Sequence, residues 1–150
     1  MKTRIVFVCH GNICRSTMAE FLFRDMAEKE GAAHRFEISS RATSTEELGN
    51  PVHPGTRRVL DRLGMSCRGK TARQITRDEC DRADLIVIMD ENNRRGLAPF
   101  IGENGGKVKK LLSFAGIDRD VADPWWTGDF ETAYRDVSLG CRALLRSCLS

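Results

Sequence analysis

At 150 residues, with 41% hydrophobic and 30% charged side chains, the chain is long enough to bury a real core as a single domain over residues 1–150. Its net charge of +3 arises from mixed signs with no long basic run, which argues against a nucleic-acid surface and suits a small anionic ligand. No apolar run approaches the ~18 residues of a membrane span and "IVFVC" is too short for a signal-peptide core, so a cytoplasmic location off the membrane, with reduced cysteines, is expected.

In chain order, "TRIVFV" reads as a short buried strand and "STMAEFLFRDMAEKEG" as a helix. Ser16 or Thr17 is expected to cap that helix, Glu20 sits near the capping-box position, and Met18, Phe21, Leu22 and Met26 supply an apolar face ended by Gly31. "RFEIS" reads as a second strand, followed by the polar loop "SRATSTEELGNPVHPG" and a helix "TRRVLDRLG" stopped by Gly64. "ADLIVIM" is a third strand, "ENNRRGLAPFI" a helix, "KVKKLLSF" a fourth strand and "DFETAYRDVSLGCRALLRSCL" a closing helix. On that last helix Cys141 and Cys148 share a face with Phe130, Tyr134, Val137 and Leu144, which predicts core packing. Strands alternating with helices imply right-handed crossovers and a parallel sheet covered on both faces.

In such a fold the first strand-to-helix turn is a favoured anion site. Here that turn is "CHGNICR". The spacing of Cys9 and Arg15 proves little alone: 6 cysteines and 18 arginines among 150 residues give about 0.7 chance matches. Cys67 and Arg73 repeat it with neither strand before nor long helix after. Context therefore carries the argument. Backbone N–H groups of a tight loop through His10, Gly11, Asn12, Ile13 and Cys14 can wrap an oxyanion, with Gly11 permitting close approach and Asn12 tolerating left-handed geometry. The planar fork of Arg15 can hold two phosphate oxygens, and the same positive surroundings favour a Cys9 thiolate.

These residues make the chain recognisable. "VCHGNICRSTMAE", with "ARQIT", "MDENN" and "DPWWTGDFETAY" further on, strongly resembles the low-molecular-weight protein tyrosine phosphatases. The resemblance implies a flavodoxin-like doubly wound four-stranded parallel sheet of order 2-1-3-4. It also implies a nucleophile at Cys9, a phosphate-clamping Arg15, a thiolate-stabilising Ser16 and a general acid at Asp123. Displacing a phenol from phosphorus needs a nucleophile, charge stabilisation and a proton for the leaving oxygen, and those residues fill the three roles. The scheme calls for no metal or organic cofactor, works on a tyrosine-phosphorylated protein or a small aryl phosphate, and predicts an optimum on the acidic side of neutral. A monomer is expected.

Several residues carry two readings. Trp125 and Trp126 read either as core or turn packing or as an aromatic wall for a phosphotyrosyl ring. Cys14 is either a small buried filler or a redox partner able to trap an oxidised Cys9 as a disulfide. His34 and His53 read as surface or loop residues. Two positions depart from the family's usual pattern: Glu46, where some members place an aromatic cleft residue, and Lys70, where many place a histidine in a network near Ser16. Ile13, on the cleft side of the loop, favours an aryl ring over the guanidinium of phosphoarginine, whose phosphatases carry threonine there. An arsenate reductase would need further cysteines near the third strand, where "LIVIMDENN" has none. A cysteine phosphocarrier should lack a hydrolytic aspartate.

Overall fold

The computed structural model describes residues 1–150. Four parallel strands, β1 (Thr3–Cys9), β2 (Phe36–Ala42), β3 (Leu85–Ile88) and β4 (Val108–Lys110), form one sheet of order β2-β1-β3-β4. Seven α-helices surround it: α1 (Arg15–Lys29), α2 (Pro54–Arg62), α3 (Arg77–Arg82), α4 (Glu91–Gly96), α5 (Ala98–Ile101), α6 (Pro124–Thr127) and α7 (Phe130–Leu149). No helix is long and apolar enough to cross a membrane.

Central β1 explains its own sequence. Ile5, Phe7 and Cys9 face a core shared with α1, α2 and α7, while Val6 and Val8 face a second core shared with α3, Leu97 and β4. Both faces are buried, so the strand reads as an unbroken apolar run rather than an alternating one. The chain leaves β1 toward β2 on one side and reaches β3 on the other. The carboxyl end of β1 is therefore the topological switch point, where open α/β sheets bind ligands.

Four local expectations are corrected. The expected caps, Ser16 and Thr17, lie inside α1, whose N-cap is Cys14 and has no side-chain cap bond; both hydroxyls are engaged by the loop instead. Glu20 likewise belongs to a buried cluster with Ser40 and Arg24, not to a capping box. The fourth strand is only three residues long, because Leu111 and Leu112 both enter the core against α7, whereas successive strand residues point to opposite faces, and residues 111–115 turn as a 3₁₀ helix. "ENNRRGLAPFI" divides into α4 and α5 at Leu97, with Pro99 in the first turn of α5. The sequence reading also passed over α3, although Thr76 and Glu79 form a reciprocal capping box there.

Cys141 is fully buried and Cys148 is half-buried against the same core, in keeping with packing roles. Phe21 instead joins a small satellite cluster of Val52, Leu60 and Cys67.

Helix α7 packs tightly on residues 111–115, and Gly140 marks the closest approach. A Cβ there would lie 2.4 Å from Leu111 Cγ and 3.1 Å from the Leu111 carbonyl oxygen. Replacing Gly140 by alanine gains about 1 kcal/mol of helix propensity but overpacks the core, which costs about 1–3 kcal/mol. Gly140→Ala should therefore lower the urea unfolding midpoint without changing the m-value; a raised midpoint would contradict this packing.

Candidate active site

β1 delivers Cys9 to the mouth of the switch point, and the chain turns through residues 10–14 before α1 begins at Arg15. Asn12 makes the turn possible. It is the one non-glycine residue with positive φ, 59°, and it is fully buried. Its side chain holds that conformation: Nδ2 donates to Ser16 Oγ at 2.8 Å and to Ser40 Oγ at 2.9 Å, and Oδ1 accepts from the Arg73 amide at 3.2 Å. The Asn12 carbonyl accepts from the Thr17 hydroxyl at 2.9 Å.

The turn leaves the amides of residues 10–15 without an acceptor within the chain. Buried or half-buried N–H groups are seldom left unpaired, so a ring of them around Cys9 is a site for an oxyanion. Cys9 Sγ lies 3.1 Å from Ser16 Oγ and 3.4 Å from the Ser16 amide nitrogen. Because Asn12 already donates to Ser16 Oγ, the hydroxyl hydrogen of Ser16 is free to point at the sulfur.

Arg15 is the largest fully buried side chain, 2% exposed. Its NH1 donates to Asp90 Oδ2 at 2.7 Å and to the Val121 carbonyl at 2.8 Å, and NH2 lies 3.4 Å from Asp123 Oδ2. Burial opposes its charge, but the Cys9, Asp123 and Asp90 charges together hold its pKa above the ordinary arginine value. Nε is buried with no partner at all. Asp90 is fixed in turn as the cap of α4, accepting from Asn93 N at 2.8 Å.

Asp123 is the N-cap of α6, its Oδ1 accepting from Trp125 N at 3.1 Å. One side chain thus both caps a helix and faces Arg15. The loop before it is tied to α7 by paired bonds from Arg119 to Asp136 at 2.8 and 2.9 Å. Trp125 and Trp126 are 53% and 81% exposed, so they are not core residues; they line the cavity over the loop with Ile13 and Glu46. That cavity has a volume of about 580 Å³. Glu46 Oε2 is 2.9 Å from His10 Nε2 across its mouth.

Behind the loop runs the network in which Lys70 was expected to differ. Ser40 Oγ donates to Glu20 Oε1 at 2.5 Å, and Glu20 is also 3.3 Å from Lys70 Nζ and 2.8 Å from Arg24 NH2. Lys70 Nζ further donates to the Ser40 carbonyl at 3.1 Å. Burial, only partly offset by Glu20, lowers the Lys70 pKa. The chain from Lys70 through Glu20, Ser40 and Asn12 to Ser16 is therefore continuous.

The structure brings the expected site residues to one cavity, except Asn12 and Ser16, which are fully buried behind the loop, and adds ones that sequence reasoning missed. Asp90 could have been suspected from its place just after the third strand. His53, expected to be an ordinary surface or loop residue, accepts from Gly55 N at 2.9 Å as the cap of α2 and stacks on Phe130 at 4.9 Å, with Trp125 edge-on at 5.6 Å. Its backbone amide donates to the Ile13 carbonyl at 2.9 Å. Burial, then the nearby Arg58 charge, lower its pKa. Glu47 was also missed: a Cβ on Gly11 would lie 3.3 Å from its Cγ.

Comparison with known proteins gives the same picture. The family model described as low molecular weight phosphotyrosine protein phosphatase matches residues 4–149. Low molecular weight protein-tyrosine-phosphatase YfkJ of Bacillus subtilis (strain 168) is 40% identical over 146 residues, 95% of this chain and 94% of the relative. PtpA of Staphylococcus aureus (strain Newman), which carries the same description, is 34% identical over 142 residues, 94% of this chain and 90% of the relative. The crystal structure of YfkJ superposes with a TM-score of 0.95, at 39% identity, covering 99% of this chain and 96% of that one. The low molecular weight protein tyrosine phosphatase SP-PTP from Streptococcus pyogenes superposes with a TM-score of 0.88, at 36% identity, covering 100% and 95%. With fold, loop and near full-length similarity in agreement, the chain belongs to the low molecular weight phosphotyrosine protein phosphatase family.

Proposed function

We propose that the chain hydrolyses phosphotyrosine through a phosphocysteine on Cys9, with Asp123 as proton donor to the leaving phenol. The observation that carries this reading is the set of unengaged donors around one sulfur: the amides of residues 10–15 and the partnerless Nε of Arg15. A phosphoryl group seated there would meet donors on several sides while its phosphorus faced Cys9.

Attack by the sulfur forms the S–P bond as the P–O bond to the phenol breaks, and Asp123 gives that oxygen its proton. The carboxylate then takes a proton from water, whose oxygen attacks phosphorus and frees the thiolate. Ser16 stabilises that thiolate as both hydroxyl and amide approach Sγ. Ile13 and the two tryptophans supply apolar surface to an aryl ring. The substrate is then a tyrosine-phosphorylated protein or a small aryl phosphate.

Cys14 fits a protective redox role. Burial, with the Cys9 and Asp123 charges, pushes its thiol up to about 12, so it can attack only as its proton leaves with the departing hydroxide. Peroxide would convert the Cys9 thiolate to a sulfenic acid; the Cys14 sulfur would then displace hydroxide, giving a disulfide and water.

Phosphotyrosine should be hydrolysed in preference to phosphoserine and phosphoarginine, with arsenate reduction undetected; a preference for phosphoarginine would contradict the role given to Ile13. Asp123→Asn should cut turnover on phosphotyrosine by roughly 10²- to 10⁴-fold, and the loss should shrink as the leaving group improves. An equal loss across a leaving-group series would remove Asp123 from proton donation.

Peroxide should inactivate the protein reversibly, with phosphate protecting it and thiol reductant restoring it. Cys14→Ser should recover poorly after the same treatment; equal recovery, with no Cys9–Cys14 linkage in peptide maps, would leave Cys14 a packing residue.

A further inference from the structure

The lining of the cavity over the loop is mixed. Two exposed indoles come from α6, whereas Glu46 and Glu47 come from the loop that follows β2. The polar contacts of both carboxylates are to side chains, not to the amides of the phosphate cradle. Glu46 meets His10, and Glu47 Oε2 accepts from Asn50 Nδ2 at 2.6 Å. Neither is bonded to Cys9 or Arg15.

Carboxylates beside an anion site carry a penalty. A like charge 4 Å from a phosphate oxygen repels it by about 1 kcal/mol even in water, and Glu47 is close enough to the loop to touch a methyl placed on Gly11. Glu46 is the more exposed, with 69% of its side chain open to solvent, so it is not held there by burial. The same cavity contains the buried, partnerless Nε of Arg15. An anion acceptor at the floor and a pair of carboxylates at the rim describe a ligand that is negative at its tip and positive beside it.

We propose that Glu46 and Glu47 form a cation-selecting rim that directs the protein to phosphotyrosyl segments bearing Lys or Arg close to the phosphotyrosine. This rests on the phosphotyrosine phosphatase reading above. Extended chain advances about 3.3 Å per residue, so a basic side chain one or two positions from the phosphotyrosine reaches the rim once the phosphoryl group is seated. The cation then cancels the repulsion that the two carboxylates exert on the phosphate, and a substrate with acidic flanks adds to it. The indoles grip the aryl ring regardless of flanking charge, so selection by sequence falls to the two carboxylates.

The test is a pair of phosphotyrosyl peptides identical except for Lys or Glu on both sides of the phosphotyrosine, with p-nitrophenyl phosphate hydrolysed in parallel by the same protein. The wild type should favour the Lys peptide by about tenfold in kcat/KM at low ionic strength. The difference should reside mainly in KM and shrink as salt is added. In the Glu46→Gln, Glu47→Gln double variant the Lys-to-Glu ratio should fall to about threefold or less. If that variant folds poorly, the wild-type salt series still separates the outcomes, since a preference that salt leaves unchanged would contradict a charged rim. Hydrolysis of p-nitrophenyl phosphate with no preference between the peptides, or with a preference for the Glu peptide, would overturn the rim and leave the phosphatase reading intact. Failure to hydrolyse p-nitrophenyl phosphate at all would overturn the phosphatase reading, and the rim with it.

Discussion

A guanidinium removed from water must be paired, since an uncompensated buried charge costs several kcal/mol. Arg15 sits in the first turn of α1, 2% exposed, and much of the architecture around the site meets that requirement. Asp90 supplies one carboxylate and is fixed by its exchange of capping bonds with Asn93. The Val121 carbonyl supplies a second acceptor, and Asp123 a second carboxylate at longer range. The Val121 amide in turn donates to the Met89 carbonyl at 2.9 Å, so the segments after β3 and before α6 are joined beneath the arginine. Nε has no partner and NH2 has only the ion pair to Asp123 at 3.4 Å, so this edge of the guanidinium is where a ligand has most to gain.

The loop is the counterpart of that constraint. Residues 10–15 can present their amides inward only if the backbone turns the left-handed way at Asn12, and a residue other than glycine holds such a conformation when its surroundings enforce it. The enforcing bonds run to Ser16, Ser40 and Arg73, and through Ser40 to Glu20. Glu20 is itself nearly buried, and Arg24 and Lys70 flank its carboxylate. Lys70 thus closes the network, its amine meeting both Glu20 and the Ser40 carbonyl. Oxyanion donors, the positioned sulfur and the charge beneath them form one connected unit rather than a collection of neighbours.

Much of this was legible in the chain, and what was not has physical reasons. β1 and α1 could be anticipated because β-branched runs and helical periodicity alternate plainly, whereas the sheet order came only with the family resemblance. Cys9 and Arg15 stood out once strand and helix were placed on either side of them. The capping role expected of Ser16 failed because it is the second residue of α1, past the cap position at Cys14, and its hydroxyl is taken up by the sulfur and Asn12. Asp90 meets Arg15 from 75 positions away, a contact that local pattern cannot carry. His53 shows no periodic signal, since its partners Gly55, Phe130 and Trp125 converge from separate parts of the fold. The shortened β4 reflects two consecutive leucines drawn into the α7 interface, a tertiary demand that overrides strand propensity.

The central claim is that the phosphoryl group passes through the sulfur at the floor of this cradle. Rapid acid quench of the Asp123→Asn protein during turnover of an aryl phosphate with a good leaving group tests it most directly, because formation then needs little proton assistance while hydrolysis of the intermediate is slowed. One phosphoryl group per chain should be trapped, mapped by mass spectrometry to the peptide bearing Cys9 and absent from Cys9→Ser. Phosphate found on another residue, or turnover with no covalent intermediate and undiminished activity in Cys9→Ser, would contradict it.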